Sequence, residues 1–377
     1  MTSSKSFTTL LSVRGCRWPV LVATLAILAT PIFGSVAVAD DRDDGTVRIM
    51  TRNLYQGFDP AVIVTAPGPQ IPFAAATAYQ TILASKPAER AAAVAREIVR
   101  NRVDLVGLQE ATILRKGPLQ LPSGPNFLPA TEVVSDGLQL LLDALERLGE
   151  RFHVVGIIPG IDAELPTALG FDARLTLRDA IIARSHNSNL KLSNVQVQKF
   201  LVNRTFATAS GIPLPNPRGW VSVDVEKDGR KFRFATTHLE QLDPAQIPQA
   251  HDMINGAGNT TLPVVFVGDF NATADSGLDP SFAVYQKFIN AGFVEAWQLK
   301  RAHDSGFTCC QAANLLNPTS QLTHRIDLVL FRGAIQVVDI SLVGERPSDR
   351  TPSGLWPSDH AGVVATLRIP RTSGPGH

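Results

Sequence analysis

Short apolar runs recur along this chain, and many of them stop on a carboxylate, an amide or an imidazole. The clearest spans residues 262–271, Leu-Pro-Val-Val-Phe-Val-Gly-Asp-Phe-Asn. Val264 to Val267 are continuous apolar residues between Pro263 and Gly268, the pattern of a strand buried on both faces. The run delivers Asp269 and Asn271 at its end, and Gly268 leaves room for close backbone approach. Comparable runs predict strands over 47–50, 103–108, 153–158, 175–183, 195–202, 220–225, 231–236, 325–331, 334–342 and 362–369. Lys227-Asp228-Gly229-Arg230 joins two of them as a hairpin turn.

Helical periodicity fills some of the gaps. Pro87 precedes a predicted amphipathic helix over 88–102, with Val94, Ile98 and Val99 inward. Asp136 caps a second helix, which Gly149 ends. Segments 244–256 and 282–290 also read as helices. Residues 58–86 are rich in Pro and Ala without a clear period, and are expected to be a loop holding a short helix. Residues 115–135 form a long connection punctuated by Pro and Gly, and such loops are often functional. Hairpins mixed with strand–helix–strand units imply a mixed, largely antiparallel α/β architecture. No segment reads as an independent second domain.

Composition adds a boundary and a charge. The chain has 377 residues, 44% hydrophobic and 18% charged, enough to bury a core without disulfide staples. Lys5, Arg14 and Arg17 stand at the front with no acid, and residues 18–39 are uncharged. Ala37-Val38-Ala39 before Asp40 fits small-x-small cleavage, so 1–39 reads as a signal peptide and 40–377 as an exported catalytic domain, secreted or in the cell envelope. An uncleaved anchor competes, because the run is just long enough to span a bilayer; Pro31 and Gly34 favour cleavage, after which no stable membrane association is expected. Removing three bases leaves 35 − 3 = 32 against 34 acids, and the formal net charge moves from +1 to −2. That balance lacks the basic excess of a tight, sequence-indifferent nucleic-acid binder, yet permits an enzyme that holds a strand briefly. Cys309 and Cys310 are adjacent, closer than an ordinary disulfide prefers, in a chain expected to meet an oxidising compartment. Dithiol and bridge both remain open.

Six polar clusters fall at predicted strand ends: Asn53, Gln109-Glu110, Thr237-His238, Asp269-Phe270-Asn271, Arg325-Ile326-Asp327 and Ser358-Asp359-His360. Each has an ordinary structural role available. Asn53 caps a turn; Glu110 pairs with a surface base such as Arg115; His238 is a hydrogen-bonded core histidine. Asp327 makes a buried salt bridge with Arg325 or His324, since a buried acid needs a partner. Asp359-His360 is a polar turn. Read together, hard oxygen donors beside imidazoles suit a divalent cation and acid–base chemistry.

Those clusters, in that order, resemble the endonuclease/exonuclease/phosphatase superfamily, which includes DNase I, AP endonucleases and bacterial sphingomyelinases. The resemblance runs over 46–369 and rests on GLQE, TTHLE, VVFVGDFNA, RIDLVL and SDH. It implies a DNase I-like four-layer sandwich: two packed mixed β-sheets flanked by helices, with the site where strand-end loops converge. It also implies roles. Glu110 looks like the principal metal ligand, with Asn53 and Asp359 beside it, holding Mg²⁺, or alternatively Mn²⁺ or Ca²⁺. Asp269 and Asn271 would hold the attacking water or a second ion, and orient the phosphate. Asp327 would fix the tautomer of His360, the base or phosphate-binding cation, and His238 would protonate the leaving oxygen or stabilise its charge. Arg178, in LRDAII, resembles a phosphate-contacting arginine of the family, with a surface ion pair as its competing role.

Departures narrow the substrate. AP endonucleases carry a Pro-Asn pair where this chain has His238-Leu239. The inositol-phosphatase signature is missing ahead of Asp327. The THL and GDFNA pieces look most like DNase I and its secreted bacterial relatives. A lipid phosphodiesterase would show an exposed apolar–aromatic hairpin, for which only Trp220 and the 115–135 loop offer material. The expected function is an exported, metal-dependent phosphodiesterase, foremost an endonuclease on DNA or RNA. A phospholipid or sugar-phosphate esterase on the same centre is the enzyme alternative, and a catalytically silent secreted binding module is the alternative of another class.

Overall fold

The computed structural model describes residues 45–120, 129–185, 189–241, 244–275 and 277–371. The expected signal peptide lies outside them, as does part of the 115–135 connection.

β1 (Thr46–Asn53), β2 (Leu105–Gln109), β3 (Ile113–Pro118) and β4 (Glu132–Asp136) open the fold. The β5 (Phe152–Pro166) and β6 (Phe171–Arg184) hairpin follows, then β7 (Leu190–Lys199), β8 (Arg204–Ala207) and β9 (Pro213–Asn216). β10 (Gly219–Lys227), β11 (Arg230–His238), β12 (Val264–Asp269) and β13 (Val294–Glu295) come next. β14 (Asp327–Arg332), β15 (Gln336–Val343) and β16 (Gly362–Arg368) complete the strands. The helices are α1 (Ala61–Val64), α2 (Ile71–Ala84), α3 (Pro87–Arg100), α4 (Gly137–Arg147), α5 (Gln246–Asn255), α6 (Phe282–Asn290) and α7 (Ala296–Lys300).

An eight-stranded sheet runs β15-β16-β1-β2-β6-β3-β4, with β5 also paired to β6, and a six-stranded sheet runs β13-β14-β12-β11-β10-β7. β1 pairs parallel with β2 and β11 parallel with β12, among antiparallel neighbours. Side-chain alternation then decides the layers. Val47 and Ile49 of β1, Leu105 of β2 and Ile181 of β6 face Val223, Phe234, Val265 and Val267 of the other sheet. The alternate residues Met50, Val106, Leu108 and Ile182 pack under α3 and α4 through Val94, Ile98, Leu141 and Leu145. On the far side Ala235, Phe266 and Leu330 meet Met253, Tyr285 and Phe288 of α5 and α6. Each fully buried side chain of this kind contributes about 1.5–3 kcal/mol before chain entropy is counted. The layers are helices, sheet, sheet, helices, the expected four-layer sandwich.

Local signals hold where the chemistry is local. Asp136 accepts hydrogen bonds from the N–H groups of Leu138 and Gln139, both at 3.1 Å, and so caps α4. Asp228 and Gly229 both have positive φ, 52° and 74°, which makes the β10–β11 hairpin. Residues 58–86 differ from expectation: they contain the 14-residue helix α2. Of its buried residues, Ile71, Ala74, Ala75, Ala78 and Ile82 recur at helical spacing, with Ala76 buried beside them, but alanine hides that period from a reading keyed to large apolar side chains. Likewise, the 115–135 connection is partly sheet, its ends forming β3 and β4.

Candidate active site

Strand register decides which polar residues arrive together. In the β1–β2 pair Asn53 lies opposite Gln109, with Glu110 next in the chain. In the β11–β12 pair His238 lies opposite Asp269, and in the β12–β14 pair Asp269 lies opposite Asp327. β16 runs antiparallel to β1 and starts at Gly362, so Asp359 and His360 reach the same edge. The C-terminal ends of four strands and the N-terminal ends of two antiparallel ones therefore carry the six clusters to one rim.

A polar layer beneath the rim joins the sheets. Thr51 Oγ1 donates to Gln109 Oε1 at 3.1 Å, and Gln109 Nε2 donates to Thr236 Oγ1 at 2.9 Å. Gly107 makes this approach possible, because a β-carbon there would stand 2.4 Å from Thr236 Oγ1 and 2.6 Å from Val267 Cγ2. Gly268 has φ +151°, and its β-carbon would fall 2.1 Å from the Thr237 carbonyl oxygen.

Across the sheets, Asn53 Nδ2 donates to Asp269 Oδ2 at 3.2 Å, while Asn53 Oδ1 accepts from the Tyr55 N–H at 2.9 Å. His238 Nε2 lies 3.3 Å from the same Asp269 Oδ2, and its Nδ1 lies 3.8 Å from Asp179 Oδ1. His360 Nδ1 is 2.7 Å from Asp327 Oδ2, and its Nε2 is 3.9 Å from Asp269 Oδ2. Asp269 Oδ1 accepts from the Asn271 N–H, and Asn271 Nδ2 donates to the Leu239 carbonyl, both at 2.9 Å. Glu110 Oε2 accepts from the Gln56 N–H at 2.6 Å, and the Glu110 N–H donates to Asp179 Oδ1 at 3.2 Å. Glu110 and Asn271 both sit at positive φ, 57° and 46°, which costs each about 1–3 kcal/mol. The hydrogen bonds just named hold them there.

Charges in this buried rim perturb one another. Burial and the Arg218 guanidinium disfavour protonated His238, but Asp269 and Asp179 outweigh them and hold it above the ordinary imidazole value. Burial likewise opposes charge on His360, and Asp327, Asp359 and Asp269 together lift it well above that value. Burial raises the Asp269 carboxyl, yet the two histidines and the Asn271 N–H bring it below the usual carboxylate range. Burial lifts Asp359 to about 6; His360 and Arg90 oppose this, and the charge of Glu110 adds to it. A carboxylate oxygen of Asp269, one of Asp327 and a ring nitrogen of His360 lie within 4.8 Å of one another. A half-buried carboxyl raised beside a second acid, with an amide and further acids at hand, is a donor set that fits a hard divalent cation.

Asp327 pairs with His360, the partner the resemblance implies, while Arg325, its competing partner, has Nε 3.0 Å from Glu295 Oε1. Arg178 sends Nε to the Ala111 carbonyl at 2.8 Å and pairs with Asp136. Its charge serves the N-terminus of α4 instead of standing free for a substrate phosphate. Asp179, its neighbour, is the residue that sequence reading passed over; an acid inside Leu-Arg-Asp-Ala-Ile-Ile was the signal. Arg90 was also missed. It is buried on the apolar side of α3, one turn before Val94, and donates to the carbonyls of Leu54 and Ser85 at 2.6 and 2.9 Å. Cys309 and Cys310 are paired with each other, and Cys310 Sγ lies 3.9 Å from His360 Nε2.

A two-sheet sandwich with acids, amides and two histidines meeting at one rim is the DNase I-like class of phosphoester hydrolase. The chain belongs to the Endonuclease/Exonuclease/phosphatase family, whose model matches residues 82–360. It is 26% identical over 182 residues to tyrosyl-DNA phosphodiesterase 2 of Mus musculus, covering 44% of this chain and 45% of that protein. The Rattus norvegicus protein of that name is 27% identical over 177 residues, covering 42% and 44%. The chain thus spans less than half the length of these curated relatives. Among solved structures, a family member from Leptotrichia buccalis has a TM-score of 0.52 at 14% identity, covering 86% of this chain and all of that one. Humanized D. rerio TDP2 has a TM-score of 0.50 at 16% identity over 86% and 99% of the two chains. A mannosyl-6-phosphatase of Bacteroides thetaiotaomicron has a TM-score of 0.50 at 17% identity over 85% and 99%. These three likenesses concern the fold.

Proposed function

We propose that the rim hydrolyses phosphodiester bonds by attack of water on phosphorus, and that it does so with a divalent cation. The observation that carries this is the meeting of Asn53, His238, Asp269 and His360, from both sheets, around one carboxylate oxygen, Asp269 Oδ2. Asp269, held ionised, accepts a proton from the attacking water. Asn271 and Asn53 fix that carboxylate by its two oxygens. Asp327 holds Nδ1 of His360, leaving protonated Nε2 to bind a phosphate oxygen. His238, charged between Asp179 and Asp269, gives its proton to the leaving oxygen as the P–O bond breaks. Mg²⁺, with Mn²⁺ or Ca²⁺ as alternatives, would be held by Glu110, Asp359 and Asn53, and supplies neutralisation of charge on phosphate oxygens and a more acidic water.

The names of the curated relatives support a DNA strand as substrate, and RNA shares its phosphodiester. Export to the envelope or medium rests on residues 1–39 and is checked by the N-terminal sequence of the protein recovered outside cells. Hydrolysis of bis(p-nitrophenyl) phosphate and of plasmid DNA, with Mg²⁺ and with chelator, tests the centre. Equal rates with and without chelator, or no hydrolysis of either substrate, would remove the proposal. One observation favours a second substrate class, the apolar cavity described next.

A further inference from the structure

Beside the rim the chain builds an open cavity of about 110 Å³. α1 and α2 form one wall, the extended ends of β5 and β6 another, and β8–β9 a third; Phe58, Ile82, Leu114, Ala163, Leu175 and Leu214 are among the lining residues. The walls are tied by backbone hydrogen bonds, Ala168 N–H to the Pro72 carbonyl and Ala209 N–H to the Val64 carbonyl, each at 2.8 Å. The space is therefore framed by the fold and does not depend on side chains parting.

Two features say what enters. The described lining holds no carboxylate, ammonium, guanidinium or imidazole; beyond Gln56, Thr208, Ser210 and the Tyr79 hydroxyl it is hydrocarbon or aromatic. A nucleic-acid strand requires cations along its backbone, and this wall has none to offer. Second, the cavity adjoins the candidate centre at Gln56. Gln56 lines it, and the N–H of Gln56 donates to Glu110 Oε2 at 2.6 Å. Leu114, four residues past Glu110, lines it too. Ile212, at the same surface, is 48% exposed, an apolar rim that an apolar guest would cover.

We propose that this cavity is the subsite for a hydrocarbon chain on the substrate, so that the preferred substrate is a phosphodiester bearing an alkyl or acyl chain. This rests on the phosphodiesterase reading above and names its substrate class. The phosphate sits at the rim between Glu110 and His360, and the chain passes Gln56 into the cavity between α2 and the β5–β6 hairpin. Affinity then grows with chain length, because every methylene leaves water for an apolar wall.

A homologous series of p-nitrophenyl alkyl phosphates, methyl to octyl, measures this on the full chain with Mg²⁺. KM is expected to fall about fourfold per methylene until the chain outgrows the cavity. Calorimetry of methyl- to octylphosphonate without metal reads the same trend as binding alone. Ala163→Trp, which fills the cavity, and Leu214→Glu, which charges its wall, should each bring the octyl-to-methyl ratio of kcat/KM toward one, with circular dichroism checking the fold. A flat series with the methyl ester hydrolysed overturns the subsite and leaves the centre standing; plasmid cleavage beside that flat series assigns the centre to nucleic acid. No hydrolysis of any ester removes the centre, and the metal-free phosphonate titration still decides the cavity.

Discussion

At the scale of single residues, the rim works by making each side chain answer to two neighbours. Asp327 faces His360 at 2.7 Å while His360 faces Asp269, so removing the Asp327 charge changes both the orientation and the protonation of the imidazole. Asp327→Asn and His360→Ala are each expected to lower kcat on a chromogenic phosphodiester by about 10²–10⁴-fold, with thermal unfolding checking that the fold survives. A rate within a factor of two of the parent in both variants would dismiss the acid–histidine couple. Asp179 makes a subtler forecast: Asp179→Asn frees Nδ1 of His238 from its second acid and should lower the imidazole pKa, read by proton NMR. Most of this rim was legible beforehand because GLQE, TTHLE, GDFNA, RIDLVL and SDH follow one another in the order of the resembled family, whereas any one of them, such as Asp269 after Val264–Val267, has an ordinary structural role on its own. Asp179 and Arg90 were harder to read, since each lies within an element: only the acid inside Leu-Arg-Asp-Ala-Ile-Ile marked the first, and nothing set Arg90 apart from the other arginines of α3.

At the scale of elements, α3 is bolted to the rim by charge. Arg52, fully buried on β1, pairs through Nε with Glu97 of α3 at 3.0 Å and donates from Nη1 to the His360 carbonyl. Glu97→Gln leaves that guanidinium without its anion and should destabilise the protein by about 3–5 kcal/mol, measured by urea unfolding; a loss below about 1 kcal/mol would show that the pair is well solvated. Gly107 is the matching control on sheet packing. Gly107→Val drives a side chain into Thr236 and Val267, at a cost of about 1–3 kcal/mol. The strand and helix pattern was readable wherever large apolar residues carried the period, as in β12 and α4. It failed at α2, where buried alanines face the core, and a wall of the cavity was therefore invisible in the sequence.

Over the whole molecule, metal binding and folding should be linked, since Glu110 leaves β2 in one sheet, Asp359 precedes β16, and Asp269 ends β12 in the other. Saturating Mg²⁺, at about 100 times its Kd, is expected to raise stability by about 2.7 kcal/mol, seen as an upward shift of the thermal midpoint that EDTA reverses. Glu110→Gln should lose most of that shift. An unchanged midpoint in the parent chain would mean that no cation is held where the donors converge.

The position of β16 has a consequence for biosynthesis. It is the final strand of the described chain, yet it lies in the interior of its sheet, between β15 and β1, and His360 stands just before it. A ribosome-bound chain that has already emitted β1 through β14 still lacks both that imidazole and the neighbour that covers β1. Assembly of the rim therefore waits on β16, and a chain that stops before His360 lacks the imidazole that Asp327 orients.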